Sequence, residues 1–204
     1  MKTGWASFLL FVPLVMLSCV QPMRNLATDE AFLRQEAGKK PWRKVAVLPF
    51  AGDPAFRRGA GEWFAYRVRK LGIFEVTGPS LARIELGKRG VRIDENAIAS
   101  DKARRSGISL GVDGVVFGSI MEGPTTAPGA PEVGINLLDT ATGKVVASST
   151  RSNRRASSHD QGGIVDAVDR IAEDFSPVLF ALAGRHRPSP AKAEGGNREP
   201  PETR

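Results

Sequence analysis

Lys44 to Phe50 reads KVAVLPF, an apolar run that does not alternate with polar residues. A strand with one wet face alternates with period two, so an unbroken run marks a central strand covered on both faces. The rest of the chain supplies the cover. Pro54 to Leu71 predicts a helix, with Phe56, Ala60, Trp63, Phe64, Val68 and Leu71 on one face and Gly72 as its stop. Ile73 to Thr77 follows as a second strand, and Pro79 to Leu86 as a short helix ended by Gly87. Asp94 opens another helix that carries Ala97, Ile98 and Ala103 and ends near Leu110-Gly111. Val112 to Ile120 (VDGVVFGSI) is a buried strand whose Gly114 and Gly118 share one face, where another element can approach closely. Val133 to Asp139 and Lys144 to Thr150 form a hairpin, with Gly143 at the positive-φ position of its turn. Asp160 to Ala183 is the last helix: Ile164, Val168, Ile171, Phe175, Val178 and Leu182 recur every three or four residues, and Pro177 is expected to kink or split it. The order is β-α-β-α-α-β-β-β-α, an α/β fold of a single β-sheet with packed helices, and Val47, Val116 and Leu137 should share one core.

The start of the chain has a different character. After Met1-Lys2, Ala6 to Leu17 (ASFLLFVPLVML) is almost wholly apolar and ends in Leu17-Ser18-Cys19. In length and flanks this is the apolar stretch of an export signal, too short for a mature spanning anchor. It resembles the bacterial lipobox, which implies cleavage before Cys19, a diacylglycerol on its thiol and an acyl chain on the new amine. A lone acyl chain anchors marginally; three hold firmly. Cys19 is the one cysteine of the chain, so the folded part has no disulfide. Val20 after the cysteine favours the outer membrane under the sorting rule of the lipoproteins this resembles.

Composition divides the remainder. Residues 1–18 read as lipoprotein signal peptide, 19–42 as lipidated tether, 43–184 as the folded domain and 185–204, rich in Pro, Gly, Ala and charge, as a disordered tail. Within the tether, Thr28 to Ala37 is a candidate short helix with Asp29 and Glu30 in its first turn and Gly38 after its end. As a flexible coil, Val20 to Trp42 would span about 26 Å.

The formal net charge of +7 is spread along the chain, and a nucleic-acid reader would concentrate it. The two histidines, His159 and His186, fall in predicted loop or tail, and no spacing of His, Cys, Asp or Glu suggests a metal site. Asp166, Asp169, Glu173 and Asp174 on the last helix read as a solvated polar face. Gly59-Ala60-Gly61 lies inside a helical pattern and is no phosphate loop. Neither a catalytic residue nor a cofactor is expected, and the chain reads as non-enzymatic.

One polarity stands out. Residues 57–105 hold 12 basic and 6 acidic groups, whereas 106–184 hold 5 and 9. Arg57, Arg67 and Lys70 stand off the apolar stripe of the 54–71 helix, and Trp63 diverges from Phe64 by roughly 100°. These four are the candidate partner-binding residues. The basic helix and the acidic last helix, if they lay on different surfaces, could join subunits head to tail into rings or filaments.

Four segments, taken in order, resemble the CsgG/LpoB-like family of bacterial envelope lipoproteins. They are VAVLPF at 45–50, LGIFEV at 71–76, LGVDGVVFGSI at 110–120 and INLLDTATGKVV at 135–146. The resemblance implies a fold akin to the TolB amino-terminal domain and to anticodon-binding-like sandwiches. It also implies protein binding rather than catalysis. The function expected is that of an outer-membrane-anchored periplasmic lipoprotein that binds a cell-envelope partner protein. The alternatives are a self-associating component of an envelope or secretion complex and a penicillin-binding-protein activator. Neither Met121 to Glu132 nor the 139–144 turn is long enough to cross a bilayer twice, since each crossing strand needs roughly 9–11 residues.

Overall fold

The computed structural model describes residues 26–35, 40–93, 98–122, 131–152 and 161–185. The strand predicted at 44–50 forms as β2 (Lys44–Val47), with the two-residue β3 (Ala51–Gly52) just beyond it. β2 lies parallel to β4 (Glu75–Thr77) on one side and to β5 (Gly114–Glu122) on the other, a central position. β5 continues antiparallel into β6 (Pro131–Asp139), and β6 into β7 (Val145–Ser152). With Leu26–Thr28 as β1, the sheet order is β1-β7-β6-β5-β2-β4, and β3 pairs with β5.

The helices divide between the two faces. On the first lie α2 (Pro54–Lys70) and α5 (Gln161–Leu182), whose Phe64, Val68, Ile171 and Phe175 pack on Val45, Val47, Val116, Ile135 and Leu137. On the second lie α3 (Pro79–Lys88) and α4 (Ser100–Leu110), whose Ala82, Leu86 and Ala103 pack on Ala46, Leu48, Val115, Phe117 and Leu138. Val45 and Val47 thus face one core, and Ala46 and Leu48 the other. This is why 44–50 has no polar residue in alternation. β6 does alternate: Val133, Ile135 and Leu137 are buried, while Glu132, Gly134 and Asn136 are only half so. From Lys44 onward the elements follow the predicted order, with β3 inserted.

Two expectations change. The segment read as tether enters the fold. Leu26–Thr28 is the edge strand β1, antiparallel to β7, and Glu30–Gln35 is α1. Asp29 caps α1, its Oδ1 accepting from Phe32 N–H at 2.9 Å, and Phe32 is buried in the first core. Trp42 donates its backbone N–H to Leu182 O at 2.8 Å and buries its ring over Gly114, where a Cβ would lie 2.2 Å from Trp42 Cζ3. The close approach anticipated at Gly114 is therefore to the end of the presumed tether. At Gly118 it is to the partner strand, with a Cβ 2.5 Å from Gly134 O. The second concerns the splitting considered at Pro177: α5 runs unsplit through it. Buried Phe175, Val178 and Leu179 hold the helix on both sides of the missing N–H. Residues 1–25, with the expected signal peptide and Cys19, and 186–204 of the expected tail lie outside the described residues, as do Gly38 and Asp94.

Candidate functional site

The motif residues act first as locks on the sheet. Asp113 Oδ2 accepts from the backbone N–H groups of Arg43 at 2.8 Å and Lys44 at 3.0 Å. The Asp113 carbonyl accepts from Thr140 N–H at 2.9 Å, so one residue joins the start of β2 to the β6–β7 turn. In that turn Asp139 Oδ2 accepts from both Thr142 N–H and Thr142 Oγ1–H at 2.7 Å, and Gly143 takes φ 77°. The Asp-x-x-Thr-Gly segment is a turn built from its own side chains.

The four candidate contact residues separate along α2. Trp63 Nε1–H donates to Asp169 Oδ1 on α5 at 2.7 Å, and the ring stacks on Tyr66 with centroids 5.2 Å apart. Arg67 Nε lies 3.2 Å from the same Asp169 oxygen, and Arg67 Nη2 lies 3.7 Å from Glu173 Oε1. Lys70 stands exposed over the Tyr66 ring, 5.2 Å from its centroid. Arg57 is elsewhere, one turn into α2, donating from Nη1 to Gly52 O at 3.3 Å. Trp63 and Arg67 therefore belong to the α2–α5 seam of one molecule. The basic and acidic helices, which the head-to-tail idea needed on different surfaces, lie side by side in one chain and pair there. The other acids of α5 have cations too: Arg170 Nε lies 3.0 Å from Asp166, and Arg151 of β7 pairs with Asp174.

A second grouping forms where the parallel strands end. β2 passes to α2 on the first face of the sheet, and neighbouring β4 passes to α3 on the second. Their carboxyl ends flank a switch in connection, where open α/β sheets leave a crevice. Here it is a cavity of about 390 Å³ floored by Pro49 and Phe50 and walled by α2 and α3. Three guanidinium side chains line it, those of Arg57, Arg58 and Arg83, with no carboxylate among its lining residues. Gly61 lets the two helices close, since a Cβ there would lie 3.1 Å from Pro79 Cγ. Glu62 Oε1 accepts from Ser80 N–H at 2.9 Å and Ser80 Oγ–H at 2.6 Å, tying α2 to α3 beside the opening. Lys88 Nζ donates to Glu85 at 2.7 Å and holds that carboxyl below its usual range. Another cavity of about 310 Å³, by the β6–β7 turn, mixes Lys40 and Arg104 with Asp113 and Asp139, so it has no single sign. Arg58 and Arg83 were absent from the sequence-level candidates; only the β2–β4 pairing brings α3 to α2. Cys19, His159 and His186 lie outside the described residues.

No protein-family model matches the chain, and no curated protein matches it in sequence. Solved structures do resemble it. The PelC dodecamer from Paraburkholderia phytofirmans is 20% identical over 71% of this chain and 89% of that one, with a TM-score of 0.39. The LpoB C-terminal domain from Salmonella enterica is 16% identical over 62% of this chain and 92% of that one, at 0.45. Lipoprotein GNA1162 from Neisseria meningitidis is 17% identical over 67% and 98%, at 0.46. The chain's own architecture is a mixed α/β fold: among the described residues, an open sheet of seven strands with helices on both faces.

Proposed function

We propose that the chain is a non-enzymatic lipoprotein, held on the periplasmic face of the outer membrane by acyl chains on Cys19, whose folded domain binds a cell-envelope partner protein. The observation that carries this reading is the apolar run into Leu17-Ser18-Cys19 placed directly before a folded domain. The first strand begins at Leu26, seven residues after Cys19. Fully extended, that link reaches at most about 25 Å. A lipid on Cys19 would therefore keep the domain close to the membrane surface, which favours a membrane-proximal partner over a role that requires reaching across the periplasm to a synthase.

The test is metabolic palmitate labelling and membrane fractionation of the wild type and Cys19→Ser, with crosslinking in intact cells. The wild type takes label, sediments with the outer membrane and crosslinks to an envelope protein. Cys19→Ser loses the label, becomes soluble and loses the crosslink. An unlabelled wild type, together with a Cys19→Ser form that still sediments with membranes, overturns the proposal.

A further inference from the structure

The crevice between α2 and α3 has a chemistry that names its occupant. Its three guanidinium groups stand within one cavity. Asp53, exposed at the start of α2, and Glu62, which meets Ser80 beside the opening, are acids close to it, and three cations against two still leave the opening positive. Glu62 and Glu85, the acids of these two helices, accept hydrogen bonds from Ser80 and Lys88. Guanidinium groups present planar forks of N–H donors that match carboxylates two bonds at a time. Arg57 gives one bond to Gly52 O, which steadies it, and an arginine has five N–H donors.

Apart from the arginines and Ser80 the lining is apolar: Pro49, Phe50, Pro54, Pro79 and Ile84. The apolar surface continues outside along α3, where Leu81 and Ile84 are 52% and 55% exposed and stand three residues apart on one side of the helix. A cavity of about 390 Å³ falls in the size range of organic ligands, and an inorganic ion would leave these walls uncovered. We infer that this crevice is the docking site for the partner, and that it takes an extended peptide segment bearing carboxylate side chains beside aliphatic ones. Carboxylates meet Arg57, Arg58 and Arg83, and the aliphatic neighbours lie on Leu81 and Ile84. The inference rests on the partner-binding reading above and assigns it a surface.

The experiment uses the full chain in detergent micelles and a fluorescent peptide of alternating Glu and Leu, with a Lys-Leu peptide and inorganic phosphate as comparators. Saturable binding of the Glu-Leu peptide is expected, weakening as salt rises past about 0.1 M, where charges are screened within about 10 Å. Arg58→Glu with Arg83→Glu should weaken it about tenfold or more. Arg105→Glu, an exposed charge on α4, should not. Arg58→Ala serves as the milder variant if the double reversal fails to fold by circular dichroism. The inference is overturned if the wild type does not bind the Glu-Leu peptide, if folded crevice variants bind it as the wild type does, or if phosphate displaces it at equal concentration. The cellular crosslink separates this from the broader reading. A crosslink that survives the double reversal removes the crevice and leaves partner binding. Peptide binding without any cellular crosslink does the reverse.

Discussion

The two ends of α2 carry the same kind of charge and meet opposite surroundings. Toward its C-terminus, Trp63 and Arg67 meet Asp169 and Glu173 of α5, so polar groups of one helix are satisfied by those of another. At its N-terminus, Arg57 and Arg58 line a cavity together with Arg83 of α3, and no carboxylate is among the described lining residues. The apolar layer beneath is shared: Phe64 stacks edge-on with Phe175 of α5 and lies 6.5 Å from Phe50, which floors the crevice. A run of basic residues along a helix therefore says little by itself about where a positive surface lies. The elements on either side decide it.

The comparison can be broken most severely from below. Phe64 is fully buried, and Phe64→Ala should cost roughly 3–5 kcal/mol in chemical denaturation. Because its ring touches both regions, the same variant should also weaken binding of the Glu-Leu peptide. Normal binding in a destabilised protein would show that the seam and the crevice are independent. Asp169→Ala should cost about 1–2 kcal/mol, because it leaves the Trp63 N–H without its acceptor in a half-buried place and takes one carboxylate from Arg67. Peptide binding should not change.

Reversing the seam sharpens the contrast. Arg67→Glu should cost about 1 kcal/mol, since both side chains of its pair with Asp169 are about one-third exposed. Asp169→Lys in the same chain should restore part of the melting temperature, with sedimentation unchanged throughout. A change of oligomeric state on reversal and its recovery in the double variant would instead place the contact between subunits. The smallest effect on folding is expected at the other end. Arg58 is exposed, and Arg58→Glu should leave stability within about 0.5 kcal/mol while weakening the acidic peptide. A large loss of stability there would mean that Arg58 supports the fold.

Much of the fold was legible because its signals are local. Trp63, by contrast, was read as a contact anchor or a core residue and is both half-buried and hydrogen-bonded to a residue 106 positions away. Nothing near Trp63 in the chain signals Asp169. Arg83 lies on the short helix predicted at 79–86, and only the pairing of β4 beside β2 brings that helix to α2. Before Lys44 the short helix is legible from Asp29 and Glu30, whereas the three-residue strand β1 is too brief for periodicity to register. Their stability comes from β7, the first core and the notch at Gly114.

The sequence by itself determined the central strand, the apolar stripe of α2, the Asp139–Gly143 turn and the α/β class, because side-chain period and turn chemistry act over a few residues. It also carries the Leu17-Ser18-Cys19 motif after an apolar run. Only the tertiary structure decided that the basic and acidic helices meet within one molecule, that Leu26–Gln35 and Trp42 join the sheet and core, and that three arginines from two helices share a crevice. Those outcomes depend on strand order, which is set by how both faces of β2 are covered at once rather than by any window of neighbouring residues.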